Sequence, residues 1–317
     1  MRMKNLGMAI GMAAATLWMA TPAFPQGDIH AGRGQAVVTV MPKHHSELSP
    51  NLSQRDLSIK VNGKESSVTG WLPLRGADDK LELVLLIDSA ARDLGRQFDE
   101  IKAFIQTLPP HTRIAIGYMQ NGSAVFSRPF SADHAEVLRA LHMPSGMAGA
   151  NASPYFCLSD LAKHWPAGDP GARHEVVMVT DGRDPYTERY DPDNTYVQAA
   201  ITDSVRAGLV VYSLYWSRWN NTVNLPEGTE SGQNYLSALT QATGGNSYGF
   251  GTGNPVSFQP FFEEISRRLE NQYRLSFTAR LDGKPVVDSL KLKAGGMAAD
   301  ITAPQQVFVQ RAGAVAQ

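Results

Sequence analysis

The chain has 317 residues, with 43% apolar and 19% charged side chains, the balance of a soluble globular protein with room for one full core and a smaller second module. Its 29 basic and 30 acidic residues leave a net charge of −1, and without a basic surplus there is no phosphate-binding footprint, so nucleic acid is excluded as an expected partner. The one cysteine, Cys157, rules out an intrachain disulfide.

The first residues read MRMKNLGMAIGMAAATLWMATPAFPQG. Arg2 and Lys4 precede an uncharged, largely apolar stretch from Leu6 to Ala20, and small residues follow at Thr21–Ala23, the pattern of a secretory signal peptide over residues 1–23 with the cut after Ala23. The stretch is shorter than the roughly 20 residues a membrane anchor needs. The expected protein is therefore exported, periplasmic or secreted, with no membrane span in its mature form. Losing Arg2 and Lys4 takes it to a net charge of about −3.

Residues 35–77 form an N-terminal β segment. Val37–Val40 and Leu57–Val61 are short β-branched runs, and Asn62-Gly63 is a hairpin signal. His44 and His45 stand in a polar turn, where adjacent histidines chelate poorly.

The rhythm changes over 81–272. LELVLLID is a near-continuous apolar run suited to a strand covered on both faces. LGRQFDEIKAFIQTLP follows with Leu94, Phe98, Ile101, Phe104, Ile105 and Leu108 on one helical stripe, ended by Pro109 and Pro110. RIAIGYM at 113–119 is a second buried strand, AVFSRPF at 124–130 an edge strand, and 132–141 a helix. Cys157 sits among apolar neighbours in SPYFCLSDLAKHW and reads as a small buried hydrophobe. Strands are expected at 175–181 and 208–216 with a helix over 195–207 between them, then helices at 234–243 and 257–272. Alternating strands and helices predict an α/β fold, a doubly wound mostly parallel sheet with helices on both faces.

The last segment, 273–309, returns to alternation: Tyr273, Leu275 and Phe277 share one face, an Asp282-Gly283 turn follows, and Leu290, Leu292, Val307 and Val309 continue it. The two flanking segments are expected to join as one small β module, a sheet or sandwich, with the α/β domain inserted between them. The alternative is that each packs separately on the central domain.

Ligands of open parallel sheets bind beyond the carboxyl ends of the strands. Asp88 ends one predicted strand and Asp181 another, two carboxylates suited to a hard cation such as Mg²⁺ or Ca²⁺. A strand ending in aspartate before small residues, and a strand reading VVMVTDG, resemble the von Willebrand factor type A domain over about residues 81–250. The order of signal peptide, β module, central domain and a tail opening YRLSF is similar to that of exported bacterial type A related proteins of the acidobacterial kind.

The resemblance implies a Rossmann-like sheet with a metal-ion-dependent adhesion site built from D-x-S-x-S, a threonine in a later loop and an aspartate in a T-D-G turn. Asp88 and Asp181 match the two aspartates, and Ser153 in GANASPYF stands for the threonine. The two serines do not carry over: their places hold Ala90 and Arg92, and Ser89 is one place early. The site is thus expected to be degenerate, with no cofactor. An occupied Mg²⁺ or Ca²⁺ site is the alternative, as is a differently built cation site, and Arg92 is placed to pair with a carboxylate instead of a metal.

Around it, a rim of Ser89, Arg92, Arg183, Asp184, Tyr186, Arg189, Tyr190, Trp216 and Trp219 carries side-chain types that anchor interfaces. No G-x-S-x-G, H-E-x-x-H or P-loop occurs, and the glycines of GGNSYGFGTGN at 244–254 lack the strand and helix of a dinucleotide fingerprint. The expected function is a non-enzymatic protein-binding module with an extracytoplasmic or cell-envelope protein as partner. A structural component of an envelope assembly, a metal-dependent adhesion domain and an uncharacterised hydrolase are the alternatives.

Overall fold

The computed structural model describes residues 29–43, 52–76, 79–89, 91, 93–145, 153–166, 168–169, 171–187, 189–217, 226–295 and 299–311. The signal peptide, His44, His45, Ala90, Arg92 and Trp219 lie outside the described residues.

The two ends of the chain close on each other. Strands β1 (Ile29–Pro42), β2 (Leu57–Val61) and β3 (Lys64–Leu74) come from the N-terminal segment; β10 (Gln272–Asp282), β11 (Val286–Ala294), β12 (Ala299–Thr302) and β13 (Gln306–Arg311) come from the C-terminal one. Their order is β10-β3-β2-β11-β13-β1, and β1 pairs back onto β10 from Ile29↔Asp282 to Thr39↔Gln272, so six antiparallel strands form a closed barrel. Strand β12 adds to β1 outside that closure.

Alternation along β1 explains its role. Gly32, Gly34, Val38 and Val40 are buried, while Ala31, Arg33 and Gln35 between them are exposed. The glycines are required by close approach: a Cβ on Gly34 would meet the ring of Phe277 and come within 2.9 Å of the Phe308 carbonyl, and one on Gly32 would lie 2.5 Å from Val309. Val38, Ile59, Leu275, Phe277, Leu281, Val307 and Val309 fill the interior.

Between the barrel's halves lies a six-stranded sheet of order β6-β5-β4-β7-β8-β9, from β4 (Leu81–Asp88), β5 (Arg113–Gln120), β6 (Ser123–Phe126), β7 (Arg173–Thr180), β8 (Leu209–Tyr215) and β9 (Ser247–Tyr248). It is mixed, since β6 runs antiparallel to β5 while the other neighbours run parallel. Every residue of β4 is buried, which is why its text shows no alternation. Helices α1 (Arg96–Thr107) and α6 (Gln259–Glu270) pack one face, where Phe104 stacks on Phe262 with centroids 4.4 Å apart. Helices α3 (Pro154–Lys163), α4 (Thr195–Arg206) and α5 (Pro226–Thr243) pack the other through Leu158, Val197, Ile201 and Leu239. The short α2 (His134–Ala140) is capped by Asp133, whose carboxylate accepts from the Ala135 and Glu136 amides.

The expected fold class is corrected by this architecture. The chain is not a doubly wound parallel sheet with a small β appendage: it couples a closed six-stranded antiparallel barrel to a mixed sheet, and seven of the thirteen described strands belong to the barrel's sheet. The expected small sheet or sandwich is likewise replaced by the barrel. Strand β1 starts at Ile29, well before the β-branched run that announces it, because its first half is glycine-rich. Helices α3 and the first turns of α5 were not expected either.

The halves meet at the lower end of the sheet around Arg173, which is 6% exposed. Its guanidinium donates to Asp79 Oδ2 at 2.6 Å, to the Leu269 carbonyl at 2.9 Å and to Gln272 Oε1, and lies 3.6 Å from Glu175. Asp79 comes from the entry into the sheet and Gln272 from the exit, so one buried cation grips both crossings. Glu175 is fully buried, and burial, only partly offset by Arg173, pushes its carboxyl up to about 7. No helix among the described residues is long and apolar enough to cross a membrane.

Candidate functional site

Parallel pairing brings the ends of β4, β7 and β8 to one upper edge. Asp88 closes β4 and is 8% exposed; Thr180 closes β7, and its hydroxyl donates to Asp88 Oδ2 at 2.8 Å. Asp181 follows, partly buried, with its Oδ1 accepting the Arg183 amide at 3.0 Å. Burial and then the Asp88 carboxylate push Asp181 up to about 7, so the two acids are close enough to resist being charged together.

The turn after Asp181 is shaped by two glycines. Gly182 has φ +66°, and a Cβ there would lie 2.7 Å from the Gly232 carbonyl as well as against Leu236. A Cβ on Gly232 of α5 would in turn strike the Asp181 carbonyl. Helix α5 therefore lies directly on the backbone that carries Asp181. Tyr155, fully buried on α3, donates to the Gly182 carbonyl at 2.7 Å and fixes the same turn from the other side.

Not all the sequence-expected site residues reach the surface. Ser89 is 1% exposed and its hydroxyl donates to the Met119 carbonyl, so it is turned into the sheet. Ser153 is fully buried ahead of α3, and its Oγ has no hydrogen-bond partner. Trp216 is 7% exposed and meets Phe258 edge-on at 5.5 Å, so it is core packing over the end of β8 rather than part of a rim. Asp184 is 4% exposed and accepts from Asn194 Nδ2 at 2.9 Å, a supporting residue inside the loop. Arg183 is partly buried, while Tyr186, Arg189 and Tyr190 are exposed. Cys157 is buried, and its thiol is pushed up to about 12 by burial and then by Asp88, which makes it unreactive.

Among the described residues no group of three or more His, Cys, Asp and Glu side chains could hold a metal. Asp88, Asp181 and the Ser153 hydroxyl offer oxygens, while the Ser89 hydroxyl donates to the Met119 carbonyl and the Thr180 hydroxyl to Asp88, and the side chain of Ala90 has none.

Residues that the strand-end reading passes over do much of the positioning. Asn194 caps α4 by accepting from the Tyr196 and Val197 amides at 2.9 and 3.1 Å, and its Nδ2 also reaches Thr187 at 2.8 Å. An asparagine directly before TYVQAAI is a readable N-cap signal. Tyr235 of α5 donates to the Arg189 carbonyl at 3.3 Å and accepts the Asp191 amide at 2.9 Å. The loop from 181 to 194 is thus tied to α4 and α5 by buried groups, and its outer side carries aromatic rings. Tyr186 and Tyr196 contact each other at 5.6 Å, and both contact Phe156 of α3, at 5.5 and 4.7 Å. An open groove of about 470 Å³ over Gln54, Ile59 and Val68 and a cavity of about 90 Å³ beside Asp79 and Arg173 both lie away from this edge.

No protein-family model matches the chain, and no curated protein matches it either. Solved structures similar to it include an aerotolerance-related membrane protein from Bacteroides fragilis, at 14% identity and a TM-score of 0.43, covering 60% of this chain and 98% of that one. The conserved hypothetical protein BatB from Bacteroides thetaiotaomicron is similar at 12% identity and a TM-score of 0.40, over 60% and 97% of the two chains. The pilus adhesin SpaC from Lactobacillus rhamnosus GG, in an open conformation, is similar at 8% identity and a TM-score of 0.43, over 81% of this chain and 48% of the adhesin.

Proposed function

We propose that this chain is an exported, non-enzymatic protein-binding module of the von Willebrand factor type A related kind, with a degenerate adhesion site, and that it engages a cell-envelope or other extracytoplasmic protein through the loops above β7 without a bound metal. One observation carries the reading. Tyr186, Tyr190 and Tyr196 stand 47%, 45% and 41% exposed on a loop and helix start that buried hydrogen bonds hold in place. Large aromatic side chains on a rigid support supply contact area at little entropic cost, the property of interface anchors.

The test is capture from solubilised cell envelope on the immobilised protein. Tyr186→Ala and Arg189→Ala are expected to cut capture of a specific partner severalfold while leaving the melting curve in place. Undiminished capture by both variants overturns the reading.

A second reading, metal-dependent adhesion, is favoured by the buried Ser153 hydroxyl without a partner and by the elevated Asp181 carboxyl. Metal-dependent capture that disappears with chelator would establish it in place of the first.

A further inference from the structure

We propose that the surface formed by Phe156, Tyr186 and Tyr196 receives an arginine- or lysine-bearing segment of the partner protein, held by cation–π contact with the rings and by the carboxylates of Asp191 and Asp193. This deepens the protein-binding reading and rests on it.

The rings come from three elements, the first turn of α3, the loop after β7 and the first turn of α4, and gather at centroid distances of 4.7, 5.5 and 5.6 Å. Rings that only sealed the loop would be covered, yet Tyr186 and Tyr196 each leave more than two-fifths of their surface in water. Their mutual angles are 81°, 61° and 44°, so no two share a plane. A sugar stacks best on a flat ring face presented alone or in a coplanar pair; a compact cation needs no coplanar pair, because it is attracted to the negative face of any one ring left open to solvent.

The charges around the rings have the matching sign. Between Asp181 and Asp193 the sequence holds five acidic residues against two arginines. Asp191 and Asp193 are exposed just before Tyr196. In the same loop Asp184, buried two residues before Tyr186, gives one carboxylate oxygen to Asn194, and its other oxygen, Oδ1, has no donor. A guanidinium lying on the rings would bring N–H donors to a loop rich in carboxylate acceptors, and fork-shaped Arg is the better match than Lys.

The experiment is fluorescence polarisation with the purified protein and a short blocked Gly–Arg repeat peptide, its Gly–Lys, Gly–Ala and Gly–Glu counterparts, and a soluble chitin oligosaccharide as competitor. The arginine peptide is expected to bind about tenfold or more tighter than the alanine and glutamate peptides, with affinity falling between about 50 and about 300 mM salt. Tyr196→Ala is expected to weaken it about fivefold or more with an unchanged melting temperature, and the Asp191→Asn, Asp193→Asn pair to flatten the salt dependence. Equal binding of the glutamate peptide, indifference to Tyr196→Ala, or displacement by the oligosaccharide would each overturn the assignment. Envelope capture lost in Tyr186→Ala but insensitive to excess arginine peptide also overturns it, and does so while leaving the protein-binding reading standing.

Discussion

The hydroxyl of Thr180 donates to Oδ2 of Asp88 at 2.8 Å and ties the ends of the two central strands together. With Ala90 and Arg92 in the places of two hydroxyl ligands, the oxygens left around this pair are few. Titration with Mg²⁺ or Ca²⁺ at low millimolar concentration is expected to give no stoichiometric heat by calorimetry. A one-to-one signal that disappears in Asp181→Ala would refute this.

Asp181 sets a pH dependence whose sign is fixed by its environment. Its carboxyl is raised from 3.8 to about 7 in the folded protein. Between those values the folded state keeps a proton that the unfolded state has lost, so the group's stabilising share is full below about pH 4 and lost as pH rises through about 7. Asp181→Asn cannot ionise and keeps an oxygen for the Arg183 amide. Its unfolding free energy should therefore gain on the parent's as pH rises from 5 to 8, by an amount on the order of 2–3 kcal/mol, read by urea unfolding at each pH. Glu175 titrates over the same range in both proteins, so the difference between them isolates Asp181. A gap that stays constant with pH would count against the coupling.

Gly182 and Gly208 both have positive φ, +66° and +67°, but only the first is crowded: a Cβ on Gly208 meets nothing within 4 Å. Denaturant unfolding should separate backbone strain from steric conflict. Gly208→Ala is expected to cost about 1 kcal/mol and Gly182→Ala about 2–4 kcal/mol, since the second also displaces α5. Equal losses would show that α5 does not lean on the Asp181 turn.

Removing the cation at the junction should be severe. Arg173→Met leaves Asp79 and Glu175 buried without it, and a loss of about 3–5 kcal/mol in urea is expected. A loss below about 1 kcal/mol would mean that the barrel and sheet are held by apolar packing alone.

What the chain reveals by its text follows the range of each interaction. Asp88 and Asp181 could be placed because an unbroken apolar run announces a strand covered on both faces, and the acid after it marks the strand's end. Trp216 sits at an equivalent position, but whether its ring turns outward or under α6 depends on Phe258, more than forty residues on. Helix α3 is local, and its buried residues Tyr155, Leu158, Leu161 and Ala162 have a helical spacing legible in SPYFCLSDLAKHW, although it is not among the expected helices. Gly232 stands inside α5, where it admits the backbone of the Asp181 turn, and a glycine in that role looks the same in sequence as one that ends a helix. The barrel was least legible: Gly32 and Gly34 weaken the strand signal at the point where the inner wall needs no side chain.

The pairing of β1 with β10 joins residues more than two hundred positions apart, with the entire mixed sheet between them. The sheet needs only its own residues, whereas the barrel lacks β10, β11 and β13 until nearly the last described residue has been made. Until then β1 is an unpaired strand, and the charged Arg33 and polar Gln35 that alternate with its glycines make it poorly suited to pairing with another chain. The residues set between the glycines that give the finished wall its narrow fit thus also guard its first strand before its partner arrives.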